Sequence, residues 1–382
     1  MIKTTSNYKS VLCLLTGCLF LGGSPALAQN SSSTTGAGSS IDDLLDRATT
    51  KVFSKFKGKV PADLKDKVMK EINRQVGKQG DSSALIDKVN AQLPEAIKNR
   101  LPDQVLSKLA GVKMNRMEGF SYWPGLTDQA HLMSLYKPAQ GSNFPLIIYV
   151  HGGGWTSRPS AKSQPSWLGQ AVKRGYAVCL VNYRLAQESP FPAQMEDLNT
   201  ALRFIKANAS RFDIDAGRIG LWGTSAGGHL VALMGTSARV STLDMGANDR
   251  SFSRDVKAVC DFCGPADLYA LATDTSPGRT WDTSSPVASL SIFLSGPAAQ
   301  NKARADMASP VTYVSGLCPP ILIMHGKADT IVPFSQSEKF AHALQARNAP
   351  VEFVALDGQS HDIEKGGNID TALNFFDRRL KN

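Results

Sequence analysis

From residue 112 to the C-terminus, short apolar runs alternate with amphipathic stretches, and this alternation limits the possible folds more than any other feature. The apolar runs cover residues 144–150, 176–181, 218–222, 256–262, 320–324 and 351–356. The amphipathic stretches cover residues 193–209, 335–347 and 368–380. Buried strands that alternate with helices are typical of a mainly parallel sheet with helices on both faces. With an antiparallel entry hairpin over residues 114–123 and 129–137, the sequence predicts an α/β fold of about eight strands.

Residues 1–28 have the pattern of a secretory signal peptide. Two lysines precede an apolar run over residues 11–22, and a small-x-small cleavage pattern ends at Ala28. The run is shorter than the roughly 20 residues that a transmembrane span needs. We therefore expect a secreted or periplasmic protein. A lipobox-like sequence that ends at Cys18 leaves a lipid anchor at that residue as the alternative.

Residues 29–40 and 41–111 differ in pattern from each other and from the rest of the chain. The first segment is rich in Ser, Thr and Gly without apolar periodicity, and it predicts a flexible linker. The second has apolar residues at helical spacing, such as Leu64, Val68 and Ile72, and it predicts a small all-helical region. This region has no cluster of residues that suggests chemistry. Its sequence does not indicate a partner either.

The composition excludes several classes of protein. With 42% hydrophobic and 20% charged residues, the 382-residue chain is not predicted to be disordered. The net charge of +9 is dispersed, so we predict no nucleic-acid partner. Cys260 and Cys263 lack a second pair of ligands, so we predict no metal site. No organic cofactor is implied either. The sequence leaves open whether Cys179, Cys260, Cys263 and Cys318 form disulfides.

Ser225 is the candidate nucleophile. The pentapeptide Gly223-Thr224-Ser225-Ala226-Gly227 follows one apolar run and begins a helical one, which is the strand–turn–helix context of a nucleophile elbow. Small residues on both sides allow the chain to turn sharply and expose the serine hydroxyl. In isolation such a pentapeptide also fits a glycine-rich turn, so its position between strand and helix carries the prediction.

A serine nucleophile needs a base, and the base needs an orienting acid. In this kind of sheet the order along the chain is Ser, acid, His. Asp329 and His361 lie in the loops after the last two predicted strands, at the edge where the chemistry is expected. His342 falls within a helical stretch, where a surface position is expected. Asp357 and Asp362 lie too near His361 in sequence to be the first candidates.

A glycine-rich loop supplies the fourth component. The sequence His151-Gly152-Gly153-Gly154-Trp155 directly follows an apolar run. Glycines let backbone N–H groups approach a negative oxygen without an intervening Cβ atom. We predict an oxyanion hole formed by the N–H groups of Gly153, Gly154 and Ala226.

The substrate pocket is predicted from aromatic residues and one long insertion. Trp155, Phe262 and Trp281 are the candidate pocket residues. Residues 267–310 separate two strands and are the candidate lid or pocket wall. Pro and Gly interrupt this segment repeatedly, so it offers little continuous apolar surface to a long acyl chain.

Six motifs in order along the chain resemble the α/β-hydrolase superfamily. They are His151-Gly152-Gly153-Gly154, Asn182-Tyr183-Arg184-Leu185, Gly223-Thr224-Ser225-Ala226-Gly227-Gly228-His229, Gly264-Pro265-Ala266-Asp267, His325-Gly326-Lys327-Ala328-Asp329 and Ser360-His361. Within the superfamily they resemble the hormone-sensitive-lipase-like branch and the bacterial feruloyl-esterase-like (BD-FAE-like) group. The resemblance covers about residues 112–382 and implies an α/β-hydrolase catalytic domain there.

The resemblance and the triad together predict a secreted serine carboxylic ester hydrolase that forms an acyl-enzyme. Short-acyl, hydroxycinnamoyl or acetylated-sugar esters are the expected substrates, so the partner is a small-molecule or carbohydrate-linked ester. A serine peptidase of the prolyl-oligopeptidase type is one alternative, although that family usually has an aromatic residue where this chain has Ala226. A non-catalytic binding protein on a hydrolase scaffold is the other alternative.

Overall fold

The computed structural model describes residues 114–160, 164–246, 250–274 and 288–381. The predicted signal peptide, linker and helical region (residues 1–28, 29–40 and 41–111) lie outside the described residues and stay predictions. The described ranges contain no helix that is both long enough and apolar enough to cross a membrane.

The described residues contain one eight-stranded sheet, which confirms the predicted α/β-hydrolase fold class. Its strands are β1 (Met114–Ser121), β2 (Leu132–Pro138), β3 (Phe144–Val150), β4 (Ala177–Val181), β5 (Ile214–Thr224), β6 (Ala258–Phe262), β7 (Ile321–Gly326) and β8 (Val351–Leu356). The order across the sheet is β1-β2-β4-β3-β5-β6-β7-β8. The predicted entry hairpin is present, because β1 pairs with β2 and β2 with β4 in antiparallel register. All other neighbours are parallel.

Helices cover the sheet. They are α1 (Leu168–Lys173), α2 (Ala193–Ala207), α3 (Ala209–Phe212), α4 (Ala226–Thr236), α5 (Leu268–Thr273), α6 (Ser289–Phe293), α7 (Lys302–Met307), α8 (Ser335–Ala346) and α9 (Gly367–Leu380). Strands β6 and β7 are buried at every residue, which explains why their mainly apolar sequences show no alternation. Each strand also buries one titratable side chain, Asp261 in β6 and His325 in β7.

Strand β5 shows how the two faces of the sheet are covered. Leu221 points into the core cluster shared with α4, while its neighbour Trp222 stacks on Trp167 with ring centroids 4.0 Å apart. Gly220 leaves room for Phe376 of α9, whose ring carbon would lie 2.6 Å from an added Cβ atom. Successive residues therefore contact opposite helical layers, as the pleat of a strand requires.

The strand order also fixes where a site can form. Strand β3 lies between β4 and β5. The chain therefore runs from β3 to its neighbour on one side, β4, and then crosses to its neighbour on the other side, β5. A crevice opens at the carboxyl ends of the strands at such a switch point. The loop after β3 and the turn after β5 meet there. These are the glycine-rich loop and the pentapeptide with Ser225.

Residues 267–310, the candidate lid or pocket wall, contain more regular structure than their Pro and Gly content indicates. Three short helices, α5, α6 and α7, form in the described part of this segment. Leu290, Phe293 and Leu294 are fully buried in the main core. Residues 275–287, with the candidate pocket residue Trp281, lie outside the described residues.

Candidate active site

Ser225 lies on a strained turn between β5 and α4. Its backbone has φ 59° and ψ −123°, a combination that non-glycine residues rarely adopt. A Cβ atom on Gly223 would lie 2.2 Å from the carbonyl oxygen of Gly227, and one on Gly227 would lie 2.0 Å from that of Val150. The Ser225 N–H donates to the carbonyl of Phe262 at 2.7 Å. The two glycines therefore permit the close approach that raises Ser225 above the sheet.

Asp329 and His361 come together at the same edge of the sheet. Asp329 follows β7 and His361 follows β8, and His361 Nδ1 donates to Asp329 Oδ2 at 2.6 Å. The Asp329 side chain is completely buried, whereas 20% of the His361 side chain is exposed. This bond fixes the imidazole tautomer that leaves Nε2 unprotonated.

The Asp329 carboxylate has more donors than the sequence indicates. Its Oδ1 accepts the backbone N–H groups of Ile331 and Val332, and its Oδ2 also accepts from His325 Nε2 at 3.0 Å. Burial raises the pKa of Asp329. The hydrogen bonds from His325 and His361 outweigh burial, so this pKa lies well below its ordinary value and the carboxylate stays ionised at neutral pH.

His325 is a site residue that sequence reasoning missed. It is fully buried, and its Nδ1 lies 2.7 Å from the Ser337 hydroxyl. Its Nε2 faces two acceptors, the Asp329 carboxylate and the Val332 carbonyl, so this nitrogen carries the proton. The signal was its place four residues before Asp329, but only the folded loop turns its ring toward the carboxylate.

The competing residues lie on the surface. The Asp357 and Asp362 side chains are 86% and 80% exposed, and each forms an ion pair with a lysine, Lys327 or Lys365. His342 is exposed on α8, as its helical context suggested.

The loop after β3, residues 151–155, forms the opposite wall of the site. Gly153 and Gly154 have φ values of 104° and 58°, in the left-handed region that favours glycine. A Cβ atom on Gly152 would lie 2.7 Å from the carbonyl of Thr224, so the loop touches the turn that carries Ser225. Within the described chain, the N–H groups of Gly153 and Gly154 donate to no protein acceptor. Two backbone donors thus remain available beside Ser225.

His151 anchors the start of this loop as a neutral residue. Its ring stacks on Tyr183 with centroids 4.4 Å apart, and its Nδ1 donates to the Gly152 carbonyl at 2.7 Å. Burial lowers the pKa of His151 to about 4, so no positive charge develops here at neutral pH.

A cavity of about 960 Å³ contains these groups. Ser225, His361 and the loop glycines line it, together with hydroxyl side chains that include Thr156, Ser157 and Ser289. Two candidate pocket residues lie elsewhere. Trp155 and Phe262 are fully buried: Trp155 stacks on Phe293, and Phe262 packs against Trp222 below the turn that carries Ser225. Trp281 lies outside the described residues.

Cys263, His325 and Asp329 bring potential metal ligands within 4.8 Å of one another. Their donor chemistry does not favour a metal ion. Burial raises the pKa of the Cys263 thiol far above its ordinary value, and a thiolate is the form that binds metal. Asp329 already accepts from two imidazoles. Cys179, Cys260, Cys263 and Cys318 are all buried free thiols.

The chain matches a known family over more than half of its length. Residues 133–344 match the family described as BD-FAE. The chain is 27% identical over 252 residues to the esterase LipQ of Mycobacterium tuberculosis, covering 65% of this chain and 57% of LipQ. It is 29% identical over 238 residues to the isoprenylcysteine alpha-carbonyl methylesterase ICME of Arabidopsis thaliana, covering 60% of this chain and 53% of ICME. It therefore spans little more than half the length of these curated relatives.

A solved structure supports the same grouping. The structure described as a truncated form of a carbohydrate esterase from gut microbiota has a TM-score of 0.63 and 25% sequence identity. The match covers 70% of this chain and 97% of that one. The family match, the eight-stranded sheet and these relatives agree with the resemblance found in the sequence. The chain therefore belongs to the BD-FAE family, in the esterase group of the α/β-hydrolase superfamily.

Proposed function

We propose that this chain is a secreted serine carboxylic ester hydrolase that acts through Ser225, Asp329 and His361. One observation carries the proposal. His361, which is hydrogen-bonded to the buried Asp329 carboxylate, lines the same cavity as Ser225 on its strained turn and the glycines of residues 152–154. The esterase names of the relatives support the reaction class. Export rests on the signal-peptide pattern of residues 1–28.

In the first half-reaction, Ser225 Oγ attacks the ester carbonyl carbon while His361 Nε2 takes the hydroxyl proton. The C–O bond to the alcohol then breaks, and the imidazolium returns its proton to the leaving alcohol. In the second half-reaction, water attacks the acyl-enzyme and gives its proton to His361. That proton returns to Ser225 as the carboxylic acid leaves.

The charges that develop along this path have matching partners. The imidazolium faces the ionised Asp329 carboxylate. The tetrahedral oxyanion is stabilised by the N–H groups of Gly153, Gly154 and Ala226. Losing one such donor typically costs about 3 to 4 kcal/mol of transition-state stabilisation.

The substrates are proposed to be esters with short acyl groups, hydroxycinnamoyl esters or acetylated sugars. The hydroxyl side chains along the cavity suit a polar alcohol group. One structural relative is described as a carbohydrate esterase. Residues 267–310, punctuated by Pro and Gly, argue against a long acyl chain.

The test combines turnover with active-site labelling. Purified parent protein and Ser225→Ala are assayed on nitrophenyl esters from acetate to palmitate, methyl ferulate, acetylated sugars and an aminoacyl amide. The variant should lose about 10⁴ to 10⁶ in kcat and all fluorophosphonate labelling, with an unchanged circular dichroism spectrum. Retained activity in folded Ser225→Ala would refute the nucleophile, and an optimum at C12 or longer would refute the substrate class. Preferential amide cleavage would favour the peptidase. Absence of both turnover and labelling would favour the binding protein.

A further inference from the structure

We propose that His229 is a positioning residue that holds the Trp155 indole, and with it the oxyanion loop of residues 151–155, against the helix that follows Ser225. The inference rests on the proposed function, because it concerns the geometry of that oxyanion hole. It adds two residues that neither contact the substrate cavity nor belong to the triad.

The His229 ring donates one hydrogen bond and accepts another. Its Nε2 lies 2.7 Å from the carbonyl oxygen of Ala308, so this nitrogen carries the proton. Its Nδ1 is therefore an acceptor, and the Trp155 indole N–H donates to it at 3.1 Å. His229 thus links the oxyanion loop to the segment just before the 3₁₀ helix Pro310–Tyr313.

His229 is also fixed to the nucleophile. It lies one helical turn after Ser225, and its backbone N–H donates to the Ser225 carbonyl at 2.9 Å. Trp155 directly follows Gly154, one of the proposed oxyanion donors. The indole–imidazole bond therefore sets the distance between the donor loop and the turn that carries the attacking oxygen.

The oxyanion loop needs such an external support. Gly153, Gly154 and Trp155 have consecutive φ values of 104°, 58° and 60°. The left-handed region is strained for a residue with a Cβ atom, such as Trp155. Trp155 persists there because its ring stacks on Phe293 at 4.5 Å and its carbonyl accepts from Ala186 at 2.8 Å. The His229 bond completes this set by fixing the rotation of the indole.

A buried imidazole suits this role because it stays neutral. Its ring contacts the Trp155 and Phe293 rings and the Ala308 carbonyl, none of which carries a formal charge. Burial lowers the pKa of His229 to about 4, and the bond to Ala308 acts in the opposite direction. The Nδ1 lone pair is therefore available to the indole throughout the neutral range.

The experiment uses the full chain and four variants. Trp155→Phe removes the donor but keeps an aromatic ring, and His229→Leu removes the acceptor. The double variant combines them. His229→Asn places a carbonyl oxygen near the position of Nδ1 and is the conservative control. Each protein is assayed for kcat and KM on nitrophenyl acetate, for its melting temperature, and for the Trp155 indole N–H resonance in ¹⁵N spectra, identified by its loss in Trp155→Phe.

We expect each single removal to lower kcat about 10- to 100-fold, since small misplacements in an active site have effects of this size. KM should change by less than about threefold, because neither Trp155 nor His229 lines the substrate cavity. The kcat of the double variant should be no lower than that of the less active single variant, because each single variant already removes the same hydrogen bond. His229→Asn should recover most of kcat, and His229→Leu should move the indole resonance upfield.

Any of three outcomes would overturn the inference. They are an unchanged kcat in folded Trp155→Phe, a loss of kcat in the double variant equal to the product of the two single losses, and an indole resonance that does not move in His229→Leu. If His229→Leu fails to fold, the test rests on the kcat of Trp155→Phe and on both the kcat and the indole resonance of His229→Asn. A parent protein with neither turnover nor fluorophosphonate labelling would instead refute the proposed function. The resonance would still report whether the indole–imidazole bond exists.

Discussion

At the residue scale, the most instructive group is the Asp329 carboxylate. It is buried, yet it stays ionised because two imidazoles and two backbone N–H groups donate to it. A buried carboxylate with this many donors is held in one orientation as well as one charge state. In the proposed reaction that orientation sets the His361 tautomer, so Asp329 acts through geometry and charge together.

We predict that Asp329→Asn lowers kcat about 10⁴-fold, because an amide at this position favours the wrong imidazole tautomer. The matched controls are Asp357→Asn and Asp362→Asn, whose carboxylates are exposed ion-pair partners. Each control should keep kcat within about twofold. The measurement is kcat on nitrophenyl acetate. A severe loss in Asp357→Asn with an active Asp329→Asn would reassign the acid.

At the scale of elements, β5, the turn that carries Ser225 and α4 form one unit. Its close contacts are made by backbone atoms, since Gly223 approaches Gly227 and Gly227 approaches β3. A side chain at either position has no flexible neighbour to displace. Steric limits alone therefore require glycine at these two positions of the turn, whatever reaction the site performs.

We predict that Gly227→Ala destabilises the protein by about 2 to 3 kcal/mol, because the new methyl group would overlap the Val150 and His151 backbone. Gly367→Ala is the matched control. No atom lies within 4 Å of an added Cβ at Gly367, and this residue begins α9. There the change should be neutral or stabilising by up to about 1 kcal/mol. Urea unfolding measures both, and equal stabilities would contradict the steric account.

At the scale of the whole molecule, Asp261 makes stability depend on pH. It is 1% exposed, its Oδ1 accepts from Gly264, and its Oδ2 has no partner among the described residues. Burial raises the pKa of Asp261 to about 7, whereas an unfolded Asp titrates near about 3.9. The folded protein therefore keeps a proton that the unfolded chain releases, and stability falls as pH rises from about 4 to about 7.

We predict that Asp261→Asn removes this loss, because asparagine keeps the shape without an ionisable proton. Relative to the parent, the variant should gain stability between pH 4 and pH 8, by up to about 4 kcal/mol. Asp357→Asn, with an exposed side chain, is the control and should show no such pH-dependent gain. Urea unfolding at both pH values measures the difference. A parent–variant difference that does not change with pH would contradict the account of Asp261.

All candidate catalytic residues lie after residue 112, beyond the predicted helical region. A protein that starts near Val112 should keep most of its activity on small soluble esters, because every candidate catalytic group lies after that point. Turnover and circular dichroism of the shortened protein check this. Lost activity in a stable, folded protein would assign residues 41–111 to the active site. Lost folding would make them structural.

The sequence by itself determined the features that depend on local periodicity. Apolar runs located the parallel strands, because burial on both faces leaves no alternation. Small residues around Ser225 marked the sharp turn between strand and helix, and the order of motifs placed Asp329 and His361 at one edge of the sheet. Each of these inferences needs only neighbours in the chain or the general rule that carboxyl ends of parallel strands lie together.

Only the tertiary structure decided which distant side chains meet. Trp155 follows the glycines of the proposed oxyanion hole, but α6, far along the chain, covers it and removes it from the cavity wall. His229 and His325 look like ordinary motif residues until folding turns one toward Trp155 and the other toward Asp329. The protonation of Asp261 likewise depends on what surrounds its carboxylate. Burial and long-range hydrogen bonds come from the packing of separate elements, and no local pattern in the sequence encodes which elements will pack together.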